Sequence, residues 1–197
     1  MKTIKSLVKH LESFKTNKEV IQYCKDNLKM IGTGSTRIVF AFNDKYAIKI
    51  ALNDTGVCQN NTEIATWLYL DYDAPSFKQY FAKVHVNLCQ RNNVFIVMDR
   101  LQKASRGVNK HIQACTYIKI NTPAPDALQG RPVRFANALH KVDQVLDLIT
   151  VADIRNGNIG VDRNGLIKVL DYGLSEITWR EHYKDKKEVR KFKEVFL

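Results

Sequence analysis

The sequence predicts an α+β protein whose strands pair as antiparallel hairpins. Three observations lead there. Apolar residues recur at helical spacing near the amino terminus and again from Phe135 to Ile149. Between them lie two β-rich runs, Ile38–Phe42 and Tyr46–Ala51, split only by Asn43 and Asp44. A second pair of such runs, Phe81–Leu88 and Val94–Met98, is separated by Arg91, Asn92 and Asn93.

Ile4, Leu7, Val8, Leu11 and Phe14 define a first amphipathic helix. Thr16 followed by Glu19 reads as a capping box that opens a second, with Val20, Ile21 and Cys24 on its apolar side. A glycine-containing turn is expected at Gly32 and Gly34, ahead of the first hairpin. Asn53, Asp54 and Gly56 mark a break, after which Glu63, Ile64, Trp67 and Leu68 suit one helix ending near Asp71. The stretch from 102 to 134 is less periodic: Cys115–Ile120 fits strand or helix, and Pro123, Pro125, Gly130 and Pro132 point to an ordered loop or surface excursion. Phe135, Leu139, Val142, Leu146 and Ile149 make a long helical stripe, Asn156–Leu170 reads as a short hairpin about Asp162–Gly165, and a charged helix is expected from Ile177 to the end.

At 197 residues and 45% hydrophobic, the chain can bury a core and suffices for one domain or two small lobes. It holds no apolar run of about 18 residues and no secretory leader pattern, so an intracellular, cytoplasmic protein without a membrane partner is expected. Four cysteines without a C-x-x-C pair fit neither a disulfide framework nor a zinc site. The net charge of +11 predicts attraction to something anionic, whether nucleic acid, phosphorylated ligands or an acidic partner. Basic residues concentrate in Lys2–Lys29 and Arg180–Lys193, as solvated helix faces or as a binding surface.

The sharpest chemical signal runs from Asp153 through Asn158 to Asp171-Tyr172-Gly173: a carboxylate, a carboxamide five residues on, and a second carboxylate at the end of an apolar strand. Phosphoryl transfer calls for such a set. Magnesium bridges nucleotide phosphates through hard oxygen ligands, while a separate carboxylate orients the attacking hydroxyl and accepts its proton. Asp171 and Asn158 are therefore candidate Mg2+ ligands and Asp153 the candidate base. The second signal is Gly32-Thr-Gly34-Ser35-Thr-Arg37-Ile-Val39 followed by Tyr46-Ala47-Ile-Lys49. Glycines let backbone amides approach phosphate oxygens, and a lysine on the next strand neutralises them.

Together these residues resemble the protein-kinase superfamily, with a D-x-x-x-x-N catalytic loop, Asp-Tyr-Gly in place of D-F-G, a glycine-rich loop and a V-A-I-K-like strand. The resemblance covers roughly residues 30 to 178. It implies a two-lobed fold with an antiparallel amino-terminal sheet and a reduced helical carboxy-terminal lobe. The divisions are then an added helical segment over 1–30, a first lobe over 31–101 and a second over 102–197. ATP would lie in the cleft, contacting Gly32, Gly34, Ser35, Val39, Ala47 and Lys49. Glu63 would pair with Lys49, and Met98, Asp99 and Leu101 would form the hinge beside adenine. Arg155 stands where serine/threonine kinases carry a lysine that reaches the transferred phosphate. Arg37 replaces the third loop glycine and either crowds the phosphates or contacts them. Val151-Ala152 stands where the family often has His-Arg, and only 24 residues follow Gly173, so the chain looks most like the minimal kinase-like proteins of bacteriophages and some bacteria.

The resemblance implies an ATP-dependent protein serine/threonine kinase acting on proteins of a bacterial host. Two other readings stand beside it. The Gly157-Asn158 pair also resembles small-molecule kinases of the aminoglycoside and choline type. The net charge of +11 fits a pseudokinase or basic module that binds nucleic acid or a host protein.

Overall fold

The computed structural model describes residues 3–89, 92–107, 131–150, 153 and 157–183. It divides into two compact units, one formed by Met1–Trp67 with Ala82–Arg100, the other by Leu68–Phe81 with Leu101–Leu197. The α+β class expected from the sequence is the class observed, with antiparallel pairing between the strands of both sheets.

The first unit opens with α1 (Ile4–Glu12) and α2 (Asn17–Asn27). The predicted capping box is present: Thr16 Oγ1 accepts the Glu19 amide at 3.3 Å, and Glu19 Oε2 accepts the Thr16 amide at 2.8 Å. Four strands follow in the order β1 (Lys29–Thr33), β2 (Arg37–Ala41), β3 (Tyr46–Ala51) and β4 (Phe95–Asp99). Because side chains alternate along a strand, this sheet has two unlike faces. Ile38, Phe40, Ile48, Ile50, Phe95 and Val97 point one way, into a core completed by Ile4, Leu7, Val8 and Leu11 of α1 and Val20 and Cys24 of α2. Burial pushes the Cys24 thiol up to about 12. Arg37, Val39, Ala41, Ala47, Lys49, Ile96 and Met98 occupy the alternate positions and so the opposite face.

Three local expectations are corrected. Gly32 lies within β1, opposite Val39 and after an irregularity between Met30 and Gly32, so the turn starts only at Gly34, whose amide donates to Arg37 O at 2.9 Å. Asn53–Gly56 is the first turn of a helix rather than a break before one. Asn53 Oδ1 accepts the Gly56 amide at 3.1 Å, and α3 runs over Asp54–Tyr72. Glycine is required there, because a Cβ on Gly56 would stand 2.2 Å from the backbone oxygen of Thr36. Finally, Phe81–Leu88 is not a strand. Within the first unit it touches β4 through an isolated bridge between Val84 and Met98, and then closes into a single 3-10 turn at Val86–Leu88. Asn93, with φ of 55°, turns the chain into β4.

The second unit contains a 3-10 turn at Lys78–Tyr80, β5 (Gln102–Lys103), α4 (Arg131–Leu146), β6 (Ile159–Val161), β7 (Ile167–Val169) and α5 (Glu176–His182). Its strands are ordered β5-β6-β7, and β5 had no sequence signal. The predicted hairpin about Asp162–Gly165 is present: Asp162 Oδ1 accepts the amides of Asn164 and Leu166, both at 2.9 Å, and Gly165 adopts φ of +75°. Cys115–Ile120, Pro123, Pro125, Gly130 and the charged segment past Tyr183 lie outside the described residues, whereas Pro132, expected in a loop, falls in the first turn of α4, where a missing backbone N–H costs no helical bond. Among the described residues no helix is long and apolar enough to cross a membrane.

Candidate functional site

The strand register assembles the amino-terminal half of the predicted site. Gly32 pairs with Val39, Val39 with Lys49 and Lys49 with Ile96, which makes one continuous row across four strands. The adjacent row is Ala41, Ala47 and Met98. This face therefore offers small residues and a buried methionine around Lys49. Gly34 and Ser35 are exposed in the turn beside the row.

Lys49 and Glu63 meet as the sequence suggests. Lys49 Nζ lies 2.7 Å from Glu63 Oε1, with the residues 5% and 0% exposed. Glu63 is placed by α3, whose start is fixed against Thr36 by Gly56. A second cation shares the same oxygen: Arg37 Nη1 is 3.0 Å from Glu63 Oε1 and 3.4 Å from Asn60 Oδ1, and Arg37 is only 6% exposed. Sequence reasoning left the direction of Arg37 open. The signal that resolves it is strand phase, since Arg37, two positions before Val39, must share the Lys49 face. Glu63 Oε2 is buried without a hydrogen-bond partner among the described residues.

The expected hinge residues lie at the end of β4 and just beyond. Met98 is buried, paired with Ala47 and bridged to Val84. The Asp99 amide donates to Lys83 O at 2.9 Å, and its carboxylate meets His85 Nε2 at 2.8 Å. Leu101 belongs to the second unit, where its side chain and the Gln102 carbonyl press on Gly160. A Cβ on Gly160 would stand 2.7 Å from Leu101 Cβ.

The second unit brings Asn158 to Asp153. Ile159 pairs with Val169, so Asn158 and Leu170 flank the hairpin on opposite strands, joined by the Leu170 amide donating to Asn158 O at 2.6 Å. Asp171 follows directly. The next residue, Tyr172, is buried with its ring edge-on to Phe81 at 5.1 Å, which anchors the chain beside Asp171. Asn158 Nδ2 donates to Asp153 O at 2.7 Å and to Asp153 Oδ2 at 2.9 Å. With its nitrogen committed to Asp153, Asn158 has its amide oxygen left as the atom suited to a cation.

Among the described residues no three His, Cys, Asp or Glu side chains cluster as a metal cage. Asn158 and Asp171, the candidate cation ligands of the sequence, stand at the open end of the β6–β7 hairpin, Asn158 just before β6 and Asp171 two residues after β7. Arg155 and Val151-Ala152 lie outside the described residues.

No protein-family model and no curated protein matches this sequence. Among solved structures it is similar to APH(2'')-IIa in a ternary complex with streptomycin and ATP, with 13% identity, 81% of this chain and 71% of that chain covered, and a TM-score of 0.41. It is similar as well to the ADP-bound aminoglycoside phosphotransferase APH(2'')-Ib, at 12% identity over 79% and 70% of the two chains with a TM-score of 0.42. The gentamicin complex of APH(2'')-IIa matches at 14% identity over 91% and 86%, with a TM-score of 0.44.

Proposed function

We propose that the chain is an ATP-dependent phosphotransferase that passes a γ-phosphoryl group to a hydroxyl, the acceptor being a serine or threonine of a protein. The observation that carries this reading is the buried 2.7 Å Lys49–Glu63 pair standing in the same cross-strand row as Gly32 and Val39. A buried ion pair contributes little net stability, because desolvation offsets the attraction. What it does provide is a fixed direction for an ammonium group, which phosphate binding needs.

In this reading the amides around Gly32, Gly34 and Ser35 meet phosphate oxygens and Lys49 neutralises them. Val39, Ala47 and Met98 supply apolar surface for a base ring, beside Asp99 and Leu101. Asp153 takes the proton of the attacking hydroxyl, its carboxylate held by Asn158 Nδ2. Asn158 and Asp171 would hold Mg2+, which when bound neutralises phosphate charge. Arg155 would add a cation near the transferred group, and the net charge of +11 suits an acidic protein partner. The Gly157-Asn158 pair favours a second reading, a small-molecule hydroxyl as acceptor.

The test is to incubate the purified chain with γ-labelled ATP and magnesium, alone and with bacterial lysate, beside an Asp153→Ala control. Label on protein that falls roughly 10²-fold or more in the control is the expected result. Label only on small molecules would move the acceptor to the second reading, and no transfer to either would overturn the phosphotransferase assignment.

A further inference from the structure

Arg37 joins two parts of the candidate nucleotide site. Through its backbone it closes the glycine turn, since Arg37 O accepts the Gly34 amide at 2.9 Å. Through its side chain it grips α3: Nη1 lies 3.0 Å from Glu63 Oε1 and 3.4 Å from Asn60 Oδ1. Asn60 and Glu63 are three residues apart and so on one side of the helix. Asn60 is fully buried and itself tied down, with Nδ2 donating to Asn93 O at 2.8 Å and Val94 O at 3.3 Å. Its oxygen is thereby aimed at the guanidinium. On β2 and β3, Arg37 is diagonal to Lys49, because Arg37 pairs with Ala51 and Lys49 with Val39. Two cations thus converge on one carboxylate oxygen, while Glu63 Oε2 is buried with no hydrogen-bond partner among the described residues.

We infer that Arg37 is a positioning residue for nucleotide binding, acting through Glu63: it fixes the rotation of the carboxylate, and so the direction in which Lys49 projects, while its backbone holds the glycine turn in register with both. The role rests on the phosphotransferase reading. A planar guanidinium suits it, because one group reaches a carboxylate and a carboxamide at once, which an ammonium does less well. With Arg37 gone, the Glu63 carboxylate loses one of its two cationic partners on Oε1 and turns more freely, and Lys49 turns with it.

The experiment is a double-mutant cycle on Arg37→Gln and Glu63→Gln, read by the Kd of a non-hydrolysable ATP analogue with magnesium and by the kcat and KM of transfer. Arg37→Gln is expected to weaken analogue binding about tenfold, the usual size for losing a charged hydrogen bond. KM for ATP should rise more than kcat falls, and the same change in the Glu63→Gln background should add less than about twofold. Arg37→Lys keeps the charge and should recover part of the affinity, which also provides a reading should Arg37→Gln fail to fold. Three results overturn the inference. An equal loss in both backgrounds would mean that Arg37 touches the nucleotide directly. An unchanged Kd with a lower melting temperature would make it purely structural. Arg37→Lys as weak as Arg37→Gln would exclude a charge-based hold on Glu63. Wild-type protein that fails to bind the analogue would instead remove the phosphotransferase reading beneath it.

Discussion

The two faces of the first sheet are built from alternate residues of the same strands, yet they obey different rules. On one, Phe40, Ile48, Ile50, Phe95 and Val97 are fully buried against α1 and α2, and each such side chain contributes about 1.5–3 kcal/mol by leaving water. On the other, the same strands carry Lys49 and Arg37 to Glu63, with Ala41 and Ala47 nearby, and the charged groups are buried as well. The difference teaches that burial by itself does not mark a stabilising position. One face holds the sheet together; the other uses that rigidity to keep charges in place.

The largest effect that would break this comparison is on the apolar side. Phe40→Ala should lower the unfolding free energy by about 3–5 kcal/mol in a denaturant titration, since the cavity would open among α1, α2 and the sheet. A loss under about 1 kcal/mol would mean that the helices do not close that face. Next in size, Lys49→Met should cut phosphate transfer by about 10²–10³-fold, in the range of removing one preorganised electrostatic group. Its unfolding midpoint should shift much less than that of Phe40→Ala, because Arg37 stays on Glu63 Oε1. Equal destabilisation by the two variants would erase the distinction between faces.

The smallest effect lies at the edge of the apolar face, where Thr16→Ala should cost about 1 kcal/mol in thermal melts by removing the α2 cap. Glu19 sharpens this point, since hydrogen bonds from the Thr16 backbone and side chain hold its carboxyl below the ordinary 4.5. Its contribution is therefore present above the ordinary carboxylate range and is lost as pH falls through the lowered folded value. Circular dichroism during acid titration should show α2 of Glu19→Gln failing to respond in that window.

How much of this was legible in the sequence follows from how local each cause is. The α2 cap, the first hairpin and the turn about Asp162 depend on residues within a few positions of one another, and their signals are explicit. Lys49 with Glu63 was readable because the helix after the hairpin offered one carboxylate at its middle. The Phe81–Leu88 run was misread because its valines and leucine suit a strand, whereas the backbone turns at His85 after meeting β4. Gly56 read as punctuation because its reason, the approach of Thr36, comes from 20 positions earlier in the chain. Arg37 was ambiguous for a similar cause: whether a cation after a glycine turn crowds the phosphates or contacts them stays open until the strand register assigns it a face.

Gly56 also acts as a fulcrum. The helix that bears Glu63 touches the Thr36 backbone at this point, and Glu63 lies seven residues farther on, about 10 Å along the axis at the usual helical rise. A tilt of about 10° around that pivot carries the Glu63 carboxylate by roughly 2 Å, a displacement comparable to the 2.7 Å that separates it from Lys49. A small angular change in one helix is therefore enough to make or release the ion pair, and the glycine that permits the close approach sets the length of the lever.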